Sequence, residues 1–235
     1  FRPNPLMVQW LAQEKISENS WFIFAKGTDP ILFFHQPNDF WHAATTAPES
    51  LCDHLSLRVF SDLEALHTAL QDHLKQCKSG GEEIAQISED SPAAAEGCVI
   101  NPPAVIHALH FQRACKTEYE LTSMRQASIR GARGHRAAQQ AFSSGASEFE
   151  IHLAYLEATG MNEWQLPYGN IIAQNHHASL LHYQYQDRQA GEHLNSLLID
   201  AGANVDGYAS DITRTYVGPR CYSQAAADLF AELLE

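Results

Sequence analysis

The segment Leu197-Leu-Ile-Asp200-Ala-Gly-Ala-Asn-Val-Asp-Gly-Tyr-Ala-Ser-Asp211-Ile-Thr-Arg-Thr215 carries two carboxylates at a spacing that a reversing chain brings together. An apolar run ends in Asp200, residues Asn204 to Gly207 have turn chemistry, and a second β-rich run opens at Gly207 or Tyr208. A loop symmetric about Val205 and Asp206 sets Asp200 directly opposite Asp211. Opposed residues have Cβ atoms roughly 4.5–5.5 Å apart, where like charges destabilise a sheet unless something neutralises them. Three chemistries fit such a pair: a solvated hairpin end, a dyad sharing one proton, or one or two hard cations bridged by carboxylate oxygens. Leu197-Leu198-Ile199 reads as a strand buried on both faces, and a carboxylate ending such a strand needs a partner, which argues against the first.

The elements around this hairpin are mixed. Trp21 to Phe24 and Ile31 to Phe34 flank Lys26-Gly-Thr-Asp-Pro30 as a β-hairpin, Leu57 to Phe60 is a third strand, and Glu83 to Ile87 a further one. Ser61-Asp-Leu-Glu64 is a capping box, followed by Leu63, Leu66, Leu70 and Leu74 at helical spacing. Periodicity lapses from Asp90 to Pro103, placing a domain junction between about residues 90 and 115. Thr117-Glu-Tyr-Glu120 caps a long helix with a stripe of Leu121, Met124, Ser128, Ala132, His135 and Phe142. Ser147-Glu-Phe-Glu150 caps another, which Gly160 terminates. Gly169 to Ala173, Leu181 to Tyr185, Ser196 to Asp200 and Tyr208 to Tyr216 read as strands.

Composition narrows the partners. The chain has 235 residues, 45% of them hydrophobic, and a net charge of −13, which repels phosphate backbones and anionic lipid, so neither nucleic acid nor membrane is expected. Five cysteines, at 52, 77, 98, 115 and 221, show no Cys-x-x-Cys pairing and read as reduced thiols of a cytoplasmic protein. No apolar run is long enough to span a bilayer, and both ends look cut: the chain opens on Phe1 and stops at Glu235 within a helical pattern.

The Asp200 to Thr215 segment resembles the metal-binding hairpin of the pita-bread metallopeptidases. Phe1-Arg-Pro-Asn-Pro5, Asp39-Phe-Trp-His42, Arg113 to Leu121, Pro167-Tyr-Gly-Asn170 and Leu181-His-Tyr183 are similar to bacterial proline dipeptidases and the related organophosphorus-acid anhydrolases, so the resemblance runs through nearly the whole chain. It implies an N-terminal creatinase-like α/β domain over residues 1–112. The first part of an α+β pita-bread catalytic domain would follow over 113–235.

Carried over, the resemblance implies that Asp200 and Asp211 are ligands of two divalent ions, most commonly Mn2+. It further implies that His182 borders the metals and contacts substrate or leaving group, and that Tyr168 and Leu181 line the dipeptide pocket. Thr213 and Arg214 are candidates for orienting the carboxylates, whereas nothing in the motif claims His176 or His177. The remaining ligands of the family, one histidine and two glutamates, would fall beyond Glu235, so activity is expected only of the complete chain. The implied reaction is hydrolysis of Xaa-Pro dipeptides by a hydroxide that two bridged cations generate, with organophosphates as a side substrate and a homodimer as a possible assembly. The alternatives are an aminopeptidase P acting on longer Xaa-Pro peptides, or a non-catalytic pita-bread binding protein.

Overall fold

The computed structural model describes residues 11, 16–38, 40–41, 45–81, 83–88, 97–220 and 223–234. The chain divides into two units, Phe1–Cys115 and Lys116–Glu235, so the division falls just past residue 112. The family-like segments at residues 1–5 and around 39 and 42 lie largely outside the described residues.

In the first unit, aromatic and β-branched runs form β1 (Trp21–Ile23) and β2 (Ile31–His35), an antiparallel pair whose connection contains Gly27 at φ +84°. β3 (Ser56–Phe60) adds in parallel to the other edge of β2. Central β2 is therefore buried on both faces: Leu32 and Phe34 pack with Leu11 and Leu55, and Phe33 packs on Leu66, Leu70 and Leu74 of α1 (Leu63–Ser79). The cap of α1 is Asp62 rather than Ser61: its carboxylate accepts from the Ala65 N–H at 2.7 Å, so the helix starts one residue later than expected. The strand expected over Glu83 to Ile87 shortens to β4 (Ala85–Gln86), parallel to β5 (Val99–Ile100). The stretch assigned to a junction holds one further helix, α2 (Pro103–Ala114), started by proline at its first position and without a buried residue.

In the second unit, both expected capping boxes are present, at Thr117 for α3 (Glu118–Ser143) and at Ser147 for α4 (Glu148–Thr159), and Gly160 ends α4 in the left-handed conformation. The face that α3 buries differs from the expected stripe. Leu121, Met124 and Ala132 are only half-buried and Ser128 is exposed, whereas Ser123, Ala127, Gly131, Gly134, Ala138 and Phe142 are buried together with His135. Small residues face inward because the neighbours come close. A Cβ on Gly134 would lie 2.5 Å from the Tyr155 ring, and one on Gly131 would lie 2.7 Å from Ser210 Oγ.

These helices cover an antiparallel sheet of order β10-β7-β6, formed by β6 (Ile171–Gln174), β7 (Leu194–Ala201) and β10 (Ile212–Arg220). Leu197, Ile199 and Ala201 turn into a core with Ala138, Phe142, Ile151 and Tyr155. The strand around Ile199 is buried on one face only, since Leu198 and Asp200 on the other are half-exposed. Between β7 and β10 the hairpin narrows into β8 (Asn204–Val205) and β9 (Tyr208–Ala209). Leu181 to Tyr185 is not a strand but turn and coil, pinned by side chains: Tyr183 Oη donates to Glu148 and Gln184 Nε2 to the Gly169 carbonyl. α5 (Gln224–Leu234) closes the described chain.

Because the buried Tyr155 ring leaves no room beside Gly134, Gly134→Val should cost about 1–3 kcal/mol of stability through overpacking. The exposed neighbour Arg133→Ala should stay within about 0.5 kcal/mol of wild type. Urea unfolding followed by far-UV circular dichroism measures both, and equal effects would refute the close α3–α4 approach.

Candidate metal centre

Asp206 and Gly207 both adopt positive φ, 54° and 83°, so they form the two central residues of a type I′ turn. The loop is thus centred one residue later than expected, and the pairing shifts by two. Asp200 lies opposite Thr213, and Ala201 opposite Ile212. A shift of two preserves sheet face, so Asp200 and Asp211 remain on the same side as diagonal neighbours. Asp211 itself sits just outside β10. The ladder is half open there: the Ser210 N–H donates to the Ala203 carbonyl at 2.8 Å, but the Ala203 N–H donates to Ser210 Oγ at 3.0 Å in place of a main-chain acceptor.

Gly202 explains what fills the gap. A side chain there would strike the Ser210 carbonyl oxygen and would come within 2.8 Å of Pro167 and 2.9 Å of the Tyr168 ring. Without it, Tyr168, delivered by the segment leading into β6, reaches over the strand end. Its hydroxyl oxygen lies 2.9 Å from Asp200 Oδ1 and 2.8 Å from Asp211 Oδ1, so these two oxygens are at most 5.7 Å apart. Thr213 Oγ1 donates to the other Asp200 oxygen at 2.8 Å. Arg214, one residue on, leaves the opposite face and donates to the Thr213 carbonyl instead.

One phenolic proton serves two carboxylate oxygens, so only one is hydrogen-bonded at any instant. Burial first, then the bonds to Asp211 and Asp200, hold the Tyr168 hydroxyl protonated far above the usual tyrosine range. The donor set suits a hard divalent cation. All its atoms are oxygens, two belong to carboxylates, and the upper bound on their separation is compatible with the roughly 4–5 Å that one bridging ion spans at 2.0–2.6 Å per bond. Behind the site, His135 Nε2 lies 3.1 Å from the Ala201 carbonyl, and burial lowers its affinity for a proton, so the imidazole is a neutral prop for β7.

Leu181 is 86% exposed, and His182 is exposed, with no hydrogen bond or ion pair to Asp200, Asp211 or Tyr168. They lie on the segment between β6 and β7, which Gln184 and Gln186 tie to the carbonyls of Gly169 and Asn170, just after Tyr168. On the sheet face that bears Asp200, a cavity of about 690 Å³ is lined by His176, His193, Ser196, Leu198 and Thr215, among others. A second polar cluster was not legible in the sequence: Glu148, 1% exposed, accepts from Gln174, His177, Tyr183 and Asp187. Its only sequence signal is the position after Ser147, where an acidic residue ordinarily complements the helix end in solvent. No disulfide joins the four cysteines among the described residues, and no described helix is long and apolar enough to cross a membrane.

Residues 1–111 match the model of the Xaa-Pro dipeptidase N-terminal domain, and residues 122–235 match metallopeptidase family M24. The chain is 42% identical over 231 residues to an Xaa-Pro dipeptidase of Stenotrophomonas maltophilia, covering 97% of this chain and 50% of that protein. It is 43% identical over 217 residues to one of Xanthomonas campestris, covering 92% and 47%. The chain therefore spans about half the length of the curated relatives it matches. Among solved structures, Escherichia coli aminopeptidase P (an Asp260Ala variant) aligns with a TM-score of 0.74 at 16% identity, over 98% of this chain and 57% of that one. The prolidase of Pyrococcus furiosus aligns at 0.66 and 18%, over 94% and 62%. At these identities the structures speak for the fold alone, and that fold is the expected pairing of an N-terminal domain with part of a pita-bread domain.

Burial also raises the proton affinity of Tyr155, Tyr183 and Tyr216. A tyrosine whose folded pKa exceeds its unfolded value, about 10, contributes stability that is complete below that pH and is lost as pH rises toward the folded value. Spectrophotometric titration should therefore show a late ionisation step coincident with alkaline unfolding. Tyr168→Phe should reduce that step by one residue; an unchanged late amplitude would contradict the shared-proton geometry.

Proposed function

We propose that this chain is part of a family M24 metallopeptidase that hydrolyses Xaa-Pro dipeptides, in which Asp200 and Asp211 hold divalent metal, two ions and most naturally Mn2+. The observation that carries this reading is the convergence of the two carboxylates on a single point beside Tyr168. When bound, such ions lower the pKa of a water and polarise the scissile carbonyl. The bond before proline requires such help, since its tertiary nitrogen has no N–H by which a site could position it.

The remaining tasks fall to the chain's own groups. Thr213 fixes the Asp200 carboxylate through its outer oxygen, leaving the inner one aimed at Asp211. Tyr168 sets the position of both inner oxygens and presents its ring beside them as one wall of the substrate site. His182 and Leu181, exposed on the segment tied to Gly169, meet the dipeptide, with His182 donating to the oxyanion or the leaving nitrogen. A dipeptide is favoured over a longer Xaa-Pro peptide because the sequence relatives at 42–43% identity are Xaa-Pro dipeptidases, whereas aminopeptidase P is matched only in fold. A phosphorus ester could be attacked at the same centre as a side reaction.

Asp200→Asn tests the reading in the full-length protein. The amide keeps the shape and one acceptor but removes the charge that holds a divalent cation. Manganese-dependent cleavage of Gly-Pro and Leu-Pro should fall at least about a hundredfold. Melting in chelator should be unchanged or slightly raised, since repulsion with Asp211 is relieved. Near-normal turnover would remove Asp200 from the ligand set. A large loss of chelator-state stability would mark it as a structural carboxylate.

A further inference from the structure

Glu148 combines near-complete burial with a carboxylate on which four donors converge. Its Oε1 accepts from the Gln174 N–H at 2.7 Å and from His177 Nδ1 at 2.8 Å; its Oε2 accepts from the Tyr183 hydroxyl at 2.6 Å and the Asp187 N–H at 2.8 Å. As the first residue of α4 it also sits at the positive end of the helix. His177 stacks on the Tyr183 ring at 4.4 Å, holding both donors in place. Next to it, the Phe149 N–H donates to the Asp187 carbonyl at 3.1 Å, and the Arg188 guanidinium lies 4.0 Å over the Phe149 ring.

The start of α4 thus clasps the irregular segment between β6 and β7 at several points. That segment has no strand ladder from Leu180 to His193 to set its path, so these anchors shape it. Leu181 and His182 lie between the anchors His177 and Tyr183. Tyr183 is drawn inward to 3% exposure, while its neighbours His182 and Gln184 stay exposed. From the other side, Gln184 and Gln186 bond the carbonyls that follow Tyr168. Glu148, His177 and Asp187 could offer three ligand atoms within 4.8 Å of one another. However, both Glu148 oxygens are already doubly occupied, one position on each by a main-chain N–H, so the cluster is built as a clasp rather than a cation site.

We infer that Glu148 is a positioning residue that acts through Tyr183 and the Asp187 N–H to hold Leu181 and His182 beside the Tyr168 segment for substrate. This rests on the reading above that Leu181 and His182 meet the dipeptide.

The test compares wild type, Glu148→Gln, Tyr183→Phe and His182→Ala in the full-length manganese-loaded protein. Glutamine keeps the volume of Glu148 but turns an NH2 group toward two of the four donors. Amide exchange over residues 177–187 should quicken about tenfold or more, with exchange in β7 and manganese content unchanged. kcat/KM for Gly-Pro should fall about tenfold, with kcat sharing in the loss because His182 donates to the oxyanion or the leaving nitrogen. Tyr183→Phe, which removes one donor only, should shift both readouts the same way by less, and it carries the test if Glu148→Gln does not fold. Faster exchange spread over β7 and α4, with kinetics unchanged per folded molecule, would make Glu148 a general stabiliser and overturn the inference. So would an unchanged kcat/KM in Glu148→Gln when His182→Ala lowers it. If His182→Ala itself leaves KM and kcat unaltered, the substrate reading of the segment falls, and the inference falls with it.

Discussion

Two like charges held on one sheet face by a single shared proton set the terms for the second half of this chain. At a separation of no more than 5.7 Å, Asp200 and Asp211 repel by about 1–3 kcal/mol at effective dielectric constants between water and a protein surface. A fold that accepts this cost must restrain the carboxylates. Here the means are Tyr168, Thr213 and the half-open face on which they stand. The same openness that limits the repulsion leaves carboxylate oxygens accessible to a cation.

Holding the pair in register is a packing problem solved on the far side of the sheet. α3 presents Gly131 where Ser210 and Ile212 come close and Gly134 where Tyr155 does, so the helix can approach both the hairpin and α4. Polar ties then index the hairpin: His135 to the Ala201 carbonyl, Arg130 to the Asn204 carbonyl at 3.0 Å, and the Tyr208 hydroxyl to Glu120 at 2.9 Å. Glu120 is the residue that closes the capping box on Thr117, so one carboxylate both starts the helix and anchors the hairpin tip. Its affinity for a proton is lowered, burial working against the Thr117 and Tyr208 hydrogen bonds, which prevail.

A second carboxylate used twice is Glu148. The charge is tolerable in the interior because every lone-pair direction meets a donor and the helix end adds its dipole. In consequence the connection between β6 and β7 is an ordered loop whose polar side chains point inward at chosen positions and whose apolar Leu181 points out. The hydrophobic pattern alone would assign the reverse.

What the sequence determined by itself was local or carried by a long motif. The capping boxes at Thr117 and Ser147, the left-handed end at Gly160, the β1–β2 hairpin and the pairing of an N-terminal domain with part of a pita-bread domain were legible there. These depend on a few adjacent residues or on a resemblance spanning most of the chain. The sheet face shared by Asp200 and Asp211 was also legible, because a period of two survives an error of two in register. Tertiary structure alone decided what depends on distant partners. The Asp206-Gly207 turn, rather than a symmetric four-residue loop, set the pairing, and Tyr168 joined the pair only because Gly202 has no side chain. The inward face of α3 followed how closely its neighbours approach, and His177, Tyr183 and Asp187 acquired a common partner only when Glu148 was buried, since burial makes an unpaired carboxylate too costly to leave alone.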